Sequence, residues 1–140
     1  MLRFFWQQKR RTGAEGGFTL IELVVVLAIL GILLALAVPR YLGARKRAFK
    51  AEADNILQEV KTLSWAYFQE YDVFPSNTDN IGFQMPAGSA WNTPGVSGGA
   101  GSSSAITWSI VGNGQKAVGS NDVCSVTLSS TGQSTQGCSF

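Results

Sequence analysis

The sequence has no histidine and only two cysteines in its 140 residues. Without an imidazole the chain lacks the side chain that most often moves protons or holds a metal near neutral pH. Two sulfurs without histidine or clustered carboxylates make a poor metal site. Acids are also thin: from Asn80 onward Asp122 is the single carboxylate side chain, which argues against a carboxylate-rich calcium cage. Serines are abundant, yet none has an evident base beside it to activate it. Gly98-Gly99-Ala100-Gly101 is followed by serines and lacks the lysine of a phosphate-binding loop, so it reads as a flexible surface linker. These absences lead to the expectation of a non-enzymatic chain with no cofactor and no metal.

Charge is missing in a more telling place. Leu23 to Val38 contains no charged or polar side chain, and Phe18 to Val38 is interrupted only by Thr19 and Glu22. Twenty-one helical residues span roughly 30 Å, enough to cross a hydrocarbon core. Bases flank this run on both sides. Residues 1–17 carry Arg3, Lys9, Arg10 and Arg11 against Glu15, and Arg40, Arg45, Lys46, Arg47 and Lys50 follow the run. Beyond Ala51 there are two bases, Lys61 and Lys116, against seven acids. The order is basic tip, apolar rod, basic collar and mildly acidic head. A nucleic-acid binder more often carries its bases on the folded domain. The collar reads as a solvated helix face or a lipid-headgroup contact. Bases at both ends leave orientation open by charge alone; the exported character of the head favours the N-terminus inside.

Residues 1–17 are short, basic and end in Gly16-Gly17. In a general secretory signal the apolar stretch precedes the small residues at the cleavage site. Here the order is reversed, so cleavage after Gly17 would leave the apolar segment on the mature chain. Downstream, Phe49, Ala53, Ile56, Val60, Leu63 and Tyr67 recur in steps of four and three, the mark of one apolar helix face. Leu57 and Ser64 flank that stripe. The spacing predicts one long helix from Phe18 to about Tyr71, weakened by Gly31 and Gly43 and kinked or locally melted at Pro39. Val73-Phe74-Pro75-Ser76-Asn77 ends it. A loop pinned by Phe83 and Trp91 leads to strand candidates Ala105–Val111, Gln115–Gly119, Val123–Leu128 and Ser134–Ser139. Asn113-Gly114 predicts a tight hairpin between the first two, and Thr131-Gly132 suggests a further turn. The expected architecture is α+β, a long helix packed on a small antiparallel sheet of about four strands. Cys124 and Cys138, downstream of a membrane-targeting segment, suggest a disulfide formed outside the cytoplasm; two free thiols are the alternative.

The stretch Gly17-Phe18-Thr19-Leu20-Ile21-Glu22-Leu23 places a cleavage site directly before a membrane helix, with one carboxylate near the new terminus. A lone glutamate entering hydrocarbon costs about 2–3 kcal/mol on insertion scales, so it calls for a specific partner. The new α-amine of Phe18, in the same chain or a neighbour, is the natural one. Pairing of that kind favours association in one axial register. The alternative is an acid favoured at a helix N-terminus by the dipole.

This stretch resembles the prepilin motif of type IV pilins and pseudopilins, a basic leader ending in glycine followed by Phe-Thr-Leu-Ile-Glu. The resemblance is close over about residues 9–50, with Pro39 where the family often has a proline; beyond that it is one of layout. It implies a chain cut between Gly17 and Phe18 by a membrane-bound prepilin peptidase that then N-methylates Phe18. It implies Glu22 bridging to the Phe18 amine of a neighbouring subunit, loss of helical order near Pro39 in the filament, and a Cys124–Cys138 disulfide framing the C-terminal loop. The implied partners are copies of the chain in a helical filament, the peptidase, an inner-membrane assembly platform driven by ATP elsewhere, and lipid before assembly, with DNA or surfaces met by the finished filament. The implied domains are a leader over 1–17, an anchor and filament core over 18–50, and a head over 51–140. The implied route runs from the inner membrane to an extracellular pilus that serves twitching motility, adhesion or DNA uptake. Alternatives are a pseudopilin of a secretion system, disfavoured by the acid-poor head and the cysteine pair, and a non-polymerising tip subunit using Trp91 or Trp108 to stack on bases or sugars.

Overall fold

The computed structural model describes residues 17–115 and 118–139. The leader up to Gly16 and part of the strand candidate Gln115–Gly119 lie outside the described residues. The chain divides into two units, Met1–Val38 and Pro39–Phe140.

Helix α1 runs Leu20–Tyr71 with Pro39 inside it. It starts where the Thr19 hydroxyl accepts a hydrogen bond from the Glu22 N–H at 3.3 Å, covering one of the donors that a helix leaves open at its first turn. It stops at Asp72, which adopts a left-handed φ of 57° while its N–H bonds to the Phe68 carbonyl at 2.9 Å. That backbone position usually takes glycine.

Within the second unit the helix lies on a four-stranded antiparallel sheet of order β1-β2-β3-β4. The strands are β1 Gly95–Gly98, β2 Ala105–Val111, β3 Val123–Ser129 and β4 Ser134–Cys138. Strands β2 and β3 alternate buried with half-buried residues along their length, as expected when one face of a sheet meets a core. Their inward residues stand opposite one another: Ile106 with Leu128, Trp108 with Val126, Ile110 with Cys124. Against this face sit Ala53, Ile56, Leu57 and Val60 of the helix, with Phe74, Phe83, Trp91 and Val118 closing the rim in one buried cluster. Each large side chain buried this way contributes about 1.5–3 kcal/mol.

The sheet corrects two expectations. Asn113-Gly114 does not turn a tight hairpin. Strand β2 pairs directly with β3, and the described residues 112–115 and 118–122 between them belong to neither strand. The Asn113 side chain accepts from the Gln115 N–H at 3.0 Å and donates to the Ser89 carbonyl at 2.9 Å. Both bonds bind the asparagine into the loop and to the preceding segment rather than to a second strand. Val118 is 1% exposed, drawn into the core as a single residue. The fourth strand is instead β1, in a glycine-rich stretch expected to be part of the loop. Val96 pairs with Trp108 and Gly98 with Thr107, across a bulge. The buried helix face is also rotated from the expected stripe: Leu57 and Ser64, expected to flank it, have no exposed surface, while Leu63 and Tyr67 are only half-buried.

Candidate functional site

The segment that begins the helix is the candidate site, and its geometry follows from its sequence. Thr19 and Glu22 stand three apart, the spacing of a capping box, in which the Ncap hydroxyl takes the N3 amide hydrogen. That bond is present. Thr19 is the residue that sequence reasoning passed over as a mere interruption of the apolar run; the Thr-x-x-Glu pattern was the signal. The cap places Glu22 in the first turn, where the positive end of the helix dipole favours a carboxylate. Among the described residues no ion pair reaches that carboxylate, and Glu22 is exposed.

Phe18 is 83% exposed, and every residue from Gly17 to Ala48 is exposed. This includes Leu23 to Val38, a stretch long and apolar enough to cross a membrane by length and composition. Soluble monomers rarely leave so large a continuous apolar surface uncovered. From Gly17 to Val38 the segment offers apolar surface, one carboxylate and a capped terminus. Such a surface can insert in lipid or pack against other helices.

At the other end of the chain, Cys124 and Cys138 form a disulfide across the β3–β4 pair, where the two residues are register partners. The bond closes a segment of 14 residues. It is reinforced by the Ser139 N–H, which donates to the Val123 carbonyl at 2.8 Å. From β4, Gln136 reaches the helix: its amide donates to the Asp54 carboxylate at 2.6 Å, and its carbonyl oxygen accepts from Gln58 at 2.7 Å.

Trp91 and Trp108 are not ligand platforms. They are 2% and 0% exposed. The Trp108 indole donates to the Ser64 hydroxyl at 2.9 Å, and that of Trp91 to the Phe49 carbonyl at 3.1 Å. A buried indole needs such an acceptor, and Ser64 supplies one while its own hydroxyl donates to the Val60 carbonyl at 2.7 Å. Glu52 does similar work at the loop, its carboxylate accepting from the Ser89 hydroxyl at 2.6 Å and the Ala90 N–H at 3.1 Å.

Residues 13–38 match the family model of the prokaryotic N-terminal methylation motif. The chain is 38% identical over 75 residues to the type IV major pilin protein PilA of Myxococcus xanthus, covering 54% of this chain and 34% of that protein. It is 39% identical over 72 residues to the type IV major pilin protein PilE1 of Neisseria gonorrhoeae, covering 51% and 44%. To the fimbrial protein EcpC of Eikenella corrodens it is 33% identical over 93 residues, covering 66% and 61%. The chain thus spans between a third and three fifths of the length of these relatives. The methylation motif and these relatives make the chain similar to type IV pilins over its N-terminal half, and the long helix on a four-stranded antiparallel sheet is a type IV pilin-like fold.

Proposed function

We propose that this chain is the precursor of a type IV pilus subunit, a structural protein whose work is done by assembly. Prepilin peptidase cuts between Gly17 and Phe18 and methylates the new Phe18 amine. The helix holds the subunit in the inner membrane, N-terminus inward and head outward, where the Cys124–Cys138 bond forms. An assembly platform then draws subunits from the lipid, and the apolar helices trade lipid for one another, with the helix free to lose order near Pro39. Burial in the bundle makes an unpaired carboxylate costly, so the Glu22 of each copy pairs with the Phe18 amine of a neighbour and fixes the register. Motility, adhesion and DNA uptake are the tasks such a filament serves.

The observation that carries this reading is the exposed, charge-free surface from Leu23 to Val38 beginning one residue after an exposed Glu22. It requires a nonaqueous environment and then a partner of the same kind. The test is the intact mass of the protein in filaments sheared from cells, read with and without reductant. The expected species begins at methylated Phe18 and gains two hydrogens on reduction. Processed protein confined to membranes and absent from sheared filaments would instead place it among non-polymerising relatives.

A further inference from the structure

Five bases follow the apolar run within residues 40–50, and no acid lies between Glu22 and Glu52. Three of them surround a gap. Lys46, Arg47 and Lys50 stand three, four and seven residues after Gly43, spacings that put all four on one helix face. Gly43 has no side chain to fill the space, and a Cβ built there meets nothing within 4 Å. The outcome is an open cleft of about 160 Å³ lined by Gly43, Lys46, Arg47 and Lys50. Open to solvent on one side, it can seat a small polyatomic anion between the three bases. Arg45 stands apart, its guanidinium 5.8 Å over the Phe49 ring.

The position of the cleft along the helix selects among anions. Gly43 is five residues beyond Val38, a rise of about 7.5 Å. The polar headgroup layer on each side of the hydrocarbon core is about 5–7 Å thick. Lys46, Arg47 and Lys50 rise about 12–18 Å beyond Val38, and long basic side chains on a helix lean back toward its N-terminus, so with the apolar run in the core they reach back toward the lipid phosphates. Tyr41, 66% exposed, lies at the same level, where amphipathic aromatic rings favour the interface. Five bases on the outward side also run against the usual placement of positive charge on the cytoplasmic side, which a local counter-anion offsets.

We propose that the Gly43 cleft binds the phosphate headgroup of an anionic phospholipid, holding the inserted subunit at a set depth before assembly. The proposal rests on the membrane-anchored reading above. The competing occupant is the acidic helix end of a second copy, at Glu70 and Asp72; the apolar run directly below the bases and their reach back toward it favour lipid.

The experiment reconstitutes the full chain in vesicles of phosphatidylglycerol and phosphatidylcholine. Lipids retained after gentle detergent extraction are then counted by mass spectrometry. Wild type is expected to retain phosphatidylglycerol over phosphatidylcholine on the order of tenfold, given the attraction each base near the surface supplies. Gly43→Leu, which keeps every charge, fills the cleft and improves helix propensity, should lose most of that preference. Lys46→Gln with Arg47→Gln and Lys50→Gln should bring it near parity. Equal retention of both lipids by wild type, or an undiminished preference in Gly43→Leu, would overturn the site. A triple variant that keeps its lipid preference but no longer forms filaments would assign these bases to the neighbouring copy and equally overturn it. Failure of every variant and of wild type to insert at all would bring down the anchored reading, and this site with it.

Discussion

The two stretches of helix α1 are built from similar residues to opposite ends. From Leu23 to Val38 apolar side chains point in every direction, and each remains exposed. From Ala53 to Ser64 they gather on one face, where Ala53, Ile56, Leu57 and Val60 are buried together with the polar Ser64. An all-round apolar helix has no polar side to turn toward water, so its partner must surround it. A one-sided helix needs only a single covering layer, which its own chain supplies. The first stretch therefore looks outside the subunit for its stability, and the second holds the subunit together.

Four substitutions would break or sharpen that contrast. The largest effect is expected from Glu22→Ala: membrane insertion unchanged and filaments absent by electron microscopy of sheared material. Normal filaments from that variant would refute the pairing of Glu22 with a neighbouring Phe18 amine. Next is a matched pair of leucines. Leu57→Ala, at a fully buried site, should cost the head about 3 kcal/mol in chemical denaturation of the full chain in detergent. Leu33→Ala, at a position 57% exposed, should change head stability by less than about 0.5 kcal/mol and weaken assembly instead. Equal losses from the two would erase the distinction between the stretches.

The smallest effect concerns the end of the helix. The Glu70 carboxylate beside Tyr71, by its charge first and its hydrogen bond second, holds the Tyr71 hydroxyl above the ordinary tyrosine pKa. A raised folded-state value means that the folded chain keeps the proton after the unfolded chain has lost it. The contribution is therefore present below the tyrosine range and is lost as pH rises through the folded value. Glu70→Gln should move the Tyr71 titration, followed by ultraviolet absorbance, toward lower pH. An unmoved titration would remove Glu70 as the cause.

Much of the head was legible because its signals are local. Ala105–Val111 and Val123–Leu128 alternate apolar and polar residues, and a strand with one buried face requires that period whatever its neighbours. The turn at Thr131-Gly132 was equally readable: Gly132 has φ of 81°, a conformation that glycine reaches without strain. Strand β1 was not legible, since Gly95-Val96-Ser97-Gly98 has low strand propensity and is extended because the edge of β2 offers it partners. Asn113-Gly114 carried a true turn signal whose consequence was misjudged. The bonds that anchor Asn113 come from Ser89 and Ala90, distant in sequence and invisible to a local pattern.

At the candidate site the balance is similar. The Thr19–Glu22 spacing, the apolar run and the glycine before Phe18 all lie within a few residues of one another, so the motif and the helix start were fixed by sequence. Periodicity likewise determined that the helix would be long and that its later half would bury one face. Tertiary structure alone decided which residues that face buries. Leu57 and Ser64, expected on its flank, are buried within it, and the Ser64 hydroxyl accepts from the buried Trp108 indole on β2. It also decided that Trp91 and Trp108 serve the core and that the glycine-rich stretch becomes an edge strand. Hydrogen-bond partners and covered surface are properties of pairs of segments, and a single pass along the chain specifies only one member of each pair.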